Sequence, residues 1–184
     1  MKVLTVAFVV CALGATVASA GTSPLPPADS PLTVIAAQFL REISESKANG
    51  VSIRCVTFPD ESAKGFIYLG AARLRGHVLY LSLRYVCRPL AVAFRSAPFF
   101  TGQPQPTVPF SSLDAVETVA HEWFHTRGVA SEQITECHAV QYTWKWLRRS
   151  NRSRSYLAAA RRHLVDNSRR PPEYKIPANC LGPT

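Results

Sequence analysis

Apolar positions follow a helical rhythm in some stretches of the chain and alternate in others. Leu32, Ile35, Ala36, Phe39, Leu40 and Ile43 recur every three or four residues behind Ser30-Pro31, which supplies a cap and a first-turn residue. A first amphipathic helix is therefore predicted from Leu32 to Ser46, closed by Asn49-Gly50. Val51 to Phe58 reads as a strand carrying Cys55. His77 to Tyr85 alternates through Val78, Tyr80, Ser82 and Arg84, and with Gly65 to Leu69 and a turn at Arg75-Gly76 it predicts a hairpin. Pro98, Pro104, Pro106 and Pro109 make residues 96–110 an irregular loop.

Beyond that loop the helical rhythm takes over. Ser111 and Ser112 are placed to cap a helix from Leu113 to Arg127, with Asp114 three residues after Ser111 as capping-box partner, and Gly128 stands where a left-handed residue ends it. Ser131 caps a further helix running to Arg149. Tyr156 to Asn167 predicts a last helix, and Arg169 to Thr184 is a Pro-containing tail.

The first twenty residues need separate treatment. Met1-Lys2 is a short positive start, Val3 to Val17 is almost wholly apolar, and Ala18-Ser19-Ala20 is a small-x-small cleavage site. This predicts a secretory signal peptide over residues 1–20, cut near Ala20-Gly21, with no membrane span once it is gone. Residues 21–31 form a Pro/Ser-rich linker, and residues 32–184 form one domain. Cys11 leaves with the leader. Cys55, Cys87, Cys137 and Cys180 remain, and an even count in an exported chain argues for two disulfides. Three pairings are open. The favoured one joins Cys55 to Cys87 in the β segment and Cys137 to Cys180 between a helix and the tail.

With 184 residues, 47% of them apolar and 18% charged, the composition is globular and leaves room for one core. The net charge is +9, and most of it lies between Lys145 and Lys175, where ten Lys/Arg face only Asp166 and Glu173. That segment suits an anionic surface or is a solvated face. It has no nucleic-acid motif and no aromatic interleaving, so no nucleic-acid partner is expected.

The candidate chemistry sits in the helix ending at Gly128, as His121-Glu122-Trp123-Phe124-His125. Histidines at i and i+4 stand one above the other, so both imidazoles reach one ion, while Glu122 is turned about 100° to the side. Val116, Val119 and Trp123 lie opposite and pack the helix from behind. A bound zinc ion brings the pKa of its water towards about 7, and a neighbouring carboxylate takes the proton and passes it to a leaving amine. A third protein ligand is needed, and the next helix offers Glu132 and Glu136, four apart, followed on the same face by Ala139 and Thr143. Small residues there let the two helices approach closely. His138 is either near the site or solvent-facing, His77 and His163 read as surface residues, and Trp123, Phe124, Trp144 and Trp146 as packing. Tyr142, His138 and Arg127 are the candidate oxyanion donors.

HExxH followed by a helix with an acid, and a second acid four residues on, resembles the gluzincin branch of the zinc metallopeptidases, of which thermolysin is the familiar member. The resemblance covers residues 111–145. It implies His121 and His125 as ligands of one Zn2+, Glu122 as general base, Glu132 as third ligand and Glu136 as the outer partner of His121, with Glu136 the competing third ligand. Two features depart from the family: only six residues separate His125 from Glu132, and the outer acid is Glu rather than Asp. A metzincin reading places Ser131 where that family has its third ligand. The pattern HExxHxxGxxxE with ECxAxQ after it is also similar to a group of small secreted proteins of actinobacterial type.

The resulting expectation is an α+β, zincin-like domain. A small antiparallel or mixed sheet packs on the HExxH helix and a following antiparallel ligand helix, with the His77–Tyr85 strand near the sheet edge. The expected function is secreted, zinc-dependent hydrolysis of a peptide or protein substrate, in which Glu122 assists attack of zinc-bound water on the peptide bond. The alternative is a non-catalytic zincin-like binding module acting through the basic C-terminal face.

Overall fold

A computed structural model describes residues 4–5, 31–45, 47–58, 66–67, 69–95, 107–149 and 151–182. The fold is α+β. Its strands are β1 (Leu4–Thr5), β2 (Ser52–Val56), β3 (Phe66–Ile67), β4 (Gly70–Ala72) and β5 (Val78–Ser82). Its helices are α1 (Pro31–Ile43), α2 (Arg88–Arg95), α3 (Phe110–Thr126), α4 (Glu132–Arg149) and α5 (Arg154–Leu164). The linker over 21–30 lies outside the described residues. So does the expected leader, apart from a two-residue parallel pairing of β1 with β3.

The expected face of α1 is the one that is buried: Ala36, Phe39, Leu40 and Ile43 all point into the core. Phe39 meets Trp146 of α4 edge-on at 5.1 Å. Burial of each such side chain stabilises the fold by roughly 1.5–3 kcal/mol. The helix stops at Ile43, three residues short of expectation, because the chain turns through Glu45 (φ 54°) and reverses at Gly50 (φ 82°).

The main sheet has the order β2-β5-β4, with β2 parallel and β4 antiparallel to β5. This corrects the sequence-based placement of the His77–Tyr85 strand: β5 is the central strand, buried at Leu79 and Leu81, and β4 stands at the edge. Strand order depends on the crossover between β2 and β5, which local alternation does not encode. The predicted hairpin turn is present, with Arg75 at φ 55° and Gly76 N–H bonded to Arg73 O at 2.8 Å. The strand also ends early. Ser82 Oγ accepts the Tyr85 N–H at 3.2 Å and starts a wide π turn over Leu83–Cys87 that runs directly into α2.

Helix α2 was not foreseen. Its signals are Pro89 in the first turn and buried Val86, Leu90 and Ala93 at three- and four-residue spacing. The start of α3 also differs from expectation. Pro109 is its N-cap, without a side-chain cap bond. Ser112 Oγ instead donates to Pro89 O at 2.9 Å, which binds α3 to α2, and Asp114 accepts from His163 and Arg169. His163 is thus half-buried and stacked on Phe110, and it is not a free surface residue.

Both favoured disulfides are formed. Cys55–Cys87 ties β2 to the π turn, and Cys137–Cys180 ties the tail to α4. Two disulfides fit an oxidising, extracellular setting. Among the described residues no helix is long and apolar enough to cross a membrane.

Candidate metal centre

Helix α3 is the axis of the molecule, touching α2, α4, α5, β4 and β5. Leu113, Val116, Val119 and Ala120 are fully buried and Trp123 nearly so, holding it from behind as the pattern predicts. His121 and His125 are buried as well, so they face an internal cleft and not solvent. Gly128 (φ 90°) reverses the chain: its N–H bonds His125 O at 2.9 Å and the Val129 N–H bonds Phe124 O at 3.2 Å, the two bonds of a Schellman ending. Ser131 caps α4 through its side chain, donating no proton but accepting the Ile134 N–H at 3.4 Å. Ala139 and Thr143, both fully buried, allow α4 to lie close against α3.

Four acidic and imidazole side chains meet between these helices. His121 Nε2 and His125 Nε2 are 3.0 Å apart, and Glu132 Oε2 lies 3.0 Å from the first and 3.3 Å from the second. Among the described residues, His121, His125 and Glu132 are the group able to hold a metal ion, with one ligand atom each within 4.8 Å of the others. The spacing can be tested against a real ion: tetrahedral ligand bonds of about 2.0–2.1 Å set ligand atoms about 3.3 Å apart. The triangle of three atoms fits a divalent cation on that measure.

Glu136 does not join that triangle. Its Oε2 accepts from His121 Nδ1 at 2.8 Å, so Glu132 belongs to the triangle and Glu136 lies behind the imidazole. On the second histidine, His125 Nδ1 donates to Val129 O at 2.7 Å, leaving Nε2 turned to the triangle.

Glu122 is 1% exposed, and its Oε1 makes no hydrogen bond among the described residues. The carboxylate lies against Gly70 at the start of edge strand β4. A Cβ at that position would come within 2.7 Å of Glu122 Cγ and 2.9 Å of Oε1. Only glycine leaves the carboxylate room there.

The electrostatics follow from burial and these contacts. Burial pushes the Glu122 carboxyl up to about 7, against the pull of the two histidines. Burial alone would lower His121, but the hydrogen bonds to Glu132 and Glu136 outweigh it and raise the imidazole to about 10. Glu132 and Glu136 are held down to about 2, since burial is overcome by His121 in both cases, helped by His125 at Glu132 and by Arg170 at Glu136.

Several participants were not singled out in the sequence. Arg170 donates from Nε to Glu136 Oε1 at 2.7 Å and also pairs with Glu117, which is buried on α3 one turn before His121. Tyr174 places its ring 5.7 Å from that of His121. Glu117 could have been noticed as an acid in an apolar run, and Gly70 as a glycine inside a strand. Arg170 could not, because it sat in a stretch that read as a solvated basic face. That reading holds for most of the segment, where Lys145, Arg148, Arg149, Arg154, Arg162, Arg169 and Lys175 are exposed, and fails at two positions: the Arg170 side chain is buried among acids, and Arg152 is buried over the Trp146 and Tyr156 rings. The suggested oxyanion donors are engaged elsewhere. His138 stacks on Phe124, Tyr142 packs against Trp123 and Phe124, and Arg127 lies over the Trp123 ring.

Compared with known proteins, the chain matches no family model, no curated protein and no solved structure.

Proposed function

We propose that this chain is a secreted zinc-dependent metallopeptidase of the HExxH type, gluzincin-like in its donor set. His121, His125 and Glu132 hold one Zn2+, Glu122 is the general base, and Glu136 supports His121. The observation that carries this reading is the convergence of three ligand atoms at ion-sized spacing beside the buried Glu122 carboxylate, whose Oε1 has no hydrogen-bond partner among the described residues. Zinc bound by three protein ligands supplies a Lewis acid that makes water nucleophilic near neutral pH and polarises a carbonyl.

The chain's own residues supply the rest. Glu122, with its carboxyl near 7, accepts a proton from the attacking water as the new C–O bond forms. It then gives that proton to the amine nitrogen as the C–N bond breaks. Val129 O and Glu136 fix the two imidazole rings, so neither swings as charge moves. Strand β4 pairs on one side with β5, and its other edge can take an extended peptide as a further strand. Gly70 at its start would bring that peptide's backbone alongside Glu122.

The test is Glu122→Gln. Zinc content is expected to stay at that of the unaltered chain, while peptide hydrolysis falls by about 100-fold to 10,000-fold. Undiminished hydrolysis would remove Glu122 from the mechanism. Stable zinc without hydrolysis in the unaltered chain would favour the binding module. Burial withdraws Arg152 and Arg170 from that module's basic docking face. Export is tested by the mass of the protein recovered from medium, which should correspond to a chain starting at Gly21.

A further inference from the structure

The segment after α5 is a strap across the open side of the α3–α4 pair. It leaves α5 at Val165, where Asp166 starts a short 3₁₀ turn by accepting the Ser168 N–H at 2.9 Å. Asn167 clamps it, donating to Ile176 O at 2.8 Å and accepting the Ile176 N–H at 2.9 Å. Its far end is joined to α4 by Cys137–Cys180, and Cys137 directly follows Glu136. Between these anchors the strap sends one charged side chain into the fold.

That side chain is Arg170, which is 7% exposed. Every edge of its guanidinium is used. Nε donates to Glu136 Oε1 at 2.7 Å, Nη1 to Asp166 O at 3.0 Å, and Nη2 to Leu164 O at 2.9 Å and to Glu117. The two main-chain carbonyls fix the plane of the fork, so the fork fixes the carboxylates and not the reverse. Glu136 has one oxygen on Arg170 and the other on His121 Nδ1. Its orientation is therefore set from both sides, and so is the ring that presents Nε2 to the metal triangle.

We propose that Arg170 is a positioning residue of the metal centre, setting zinc affinity by locking Glu136 against His121. This rests on the metal-site reading above. Without the fork, Glu136 loses the partner that stops it rotating away from His121, and the imidazole loses its fixed tautomer and direction.

A double-mutant cycle in zinc affinity tests this, measured on full-length protein by competition with a chromophoric chelator. Arg170→Met is expected to weaken zinc binding by about 10-fold to 100-fold, with Glu136→Ala giving a similar loss. Because both act through one contact, the double variant should be no more than a few-fold weaker than the weaker single variant. A merely structural role would instead give losses that multiply. Multiplying losses, or Arg170→Met binding zinc as the unaltered chain does, overturn the proposal. If Arg170→Met leaves Glu117 and Glu136 unpaired and unfolds, as read by circular dichroism, Arg170→Lys takes its place in the cycle with the same expectations. No zinc binding by the unaltered chain would overturn the metal centre itself, a pattern distinct from either of the others.

Discussion

Burial and close partners set the protonation of His121, Glu122, Glu132 and Glu136, and this gives the metal-free protein a defined pH profile. Glu132 and Glu136 are held near 2 against an ordinary 4.5, so their contribution is complete above 4.5 and is lost as pH falls towards 2. His121 is raised from 6.5 to about 10, so its contribution is complete below 6.5 and is lost as pH rises through 10. Glu122 is raised from 4.5 to about 7, so it costs stability as pH rises from 4.5 to 7, where the unfolded chain ionises and the buried carboxyl does not. The chelated protein should therefore have its highest thermal midpoint between pH 4.5 and 6.5 and decline on both sides. Zinc must displace the proton from His121 Nε2, so the gain in midpoint on adding zinc should grow from pH 5 to 8. A thermal scan series with and without zinc checks both. A zinc effect that is flat with pH would contradict the His121 assignment.

The elements were legible in proportion to how local their causes are. Helix α3 and its ending were readable because the HExxH spacing, the apolar back face and Gly128 all lie within one stretch of chain. The capping expectation failed there because Ser112 and Asp114 were recruited by α2 and by the α5 region, whose approach no local pattern announces. Helix α2 was hidden behind a π turn that joins it to β5 without a break. The edge position of β4, and with it the contact between Gly70 and Glu122, is a property of sheet order. That contact gives an element-scale prediction. Gly70→Ala places a methyl where the Glu122 carboxylate lies, so β4 and α3 must separate or Glu122 must turn. A stability loss of about 1–3 kcal/mol is expected, with zinc retained and hydrolysis largely abolished. An alanine variant hydrolysing peptide at the original rate would show that Glu122 does not need this strand.

For the molecule as a whole, two disulfides and one buried guanidinium join distant parts of the chain around the same cleft. Cys55–Cys87 fixes the sheet that backs α3, and Cys137–Cys180 fixes the strap that faces it. Closing loops of 32 and 43 residues contributes about 4 kcal/mol each in the chain-entropy picture. Such help is useful to a domain of this size whose central helix carries several charged and imidazole groups in its interior. Two disulfides were readable from the four cysteines left in the domain, and the favoured pairing from the elements that carry them. The links of Arg170 to Glu136 and Glu117, 34 and 53 residues away, were not, because a buried arginine and a solvated one look alike in a basic run. The zinc K-edge X-ray absorption spectrum of the purified protein examines the result of all this packing at once. Stoichiometric zinc bound by two imidazole nitrogens and oxygen donors, with no sulfur, is the predicted outcome; substoichiometric metal, or a sulfur shell, would contradict a site built from His121, His125 and Glu132.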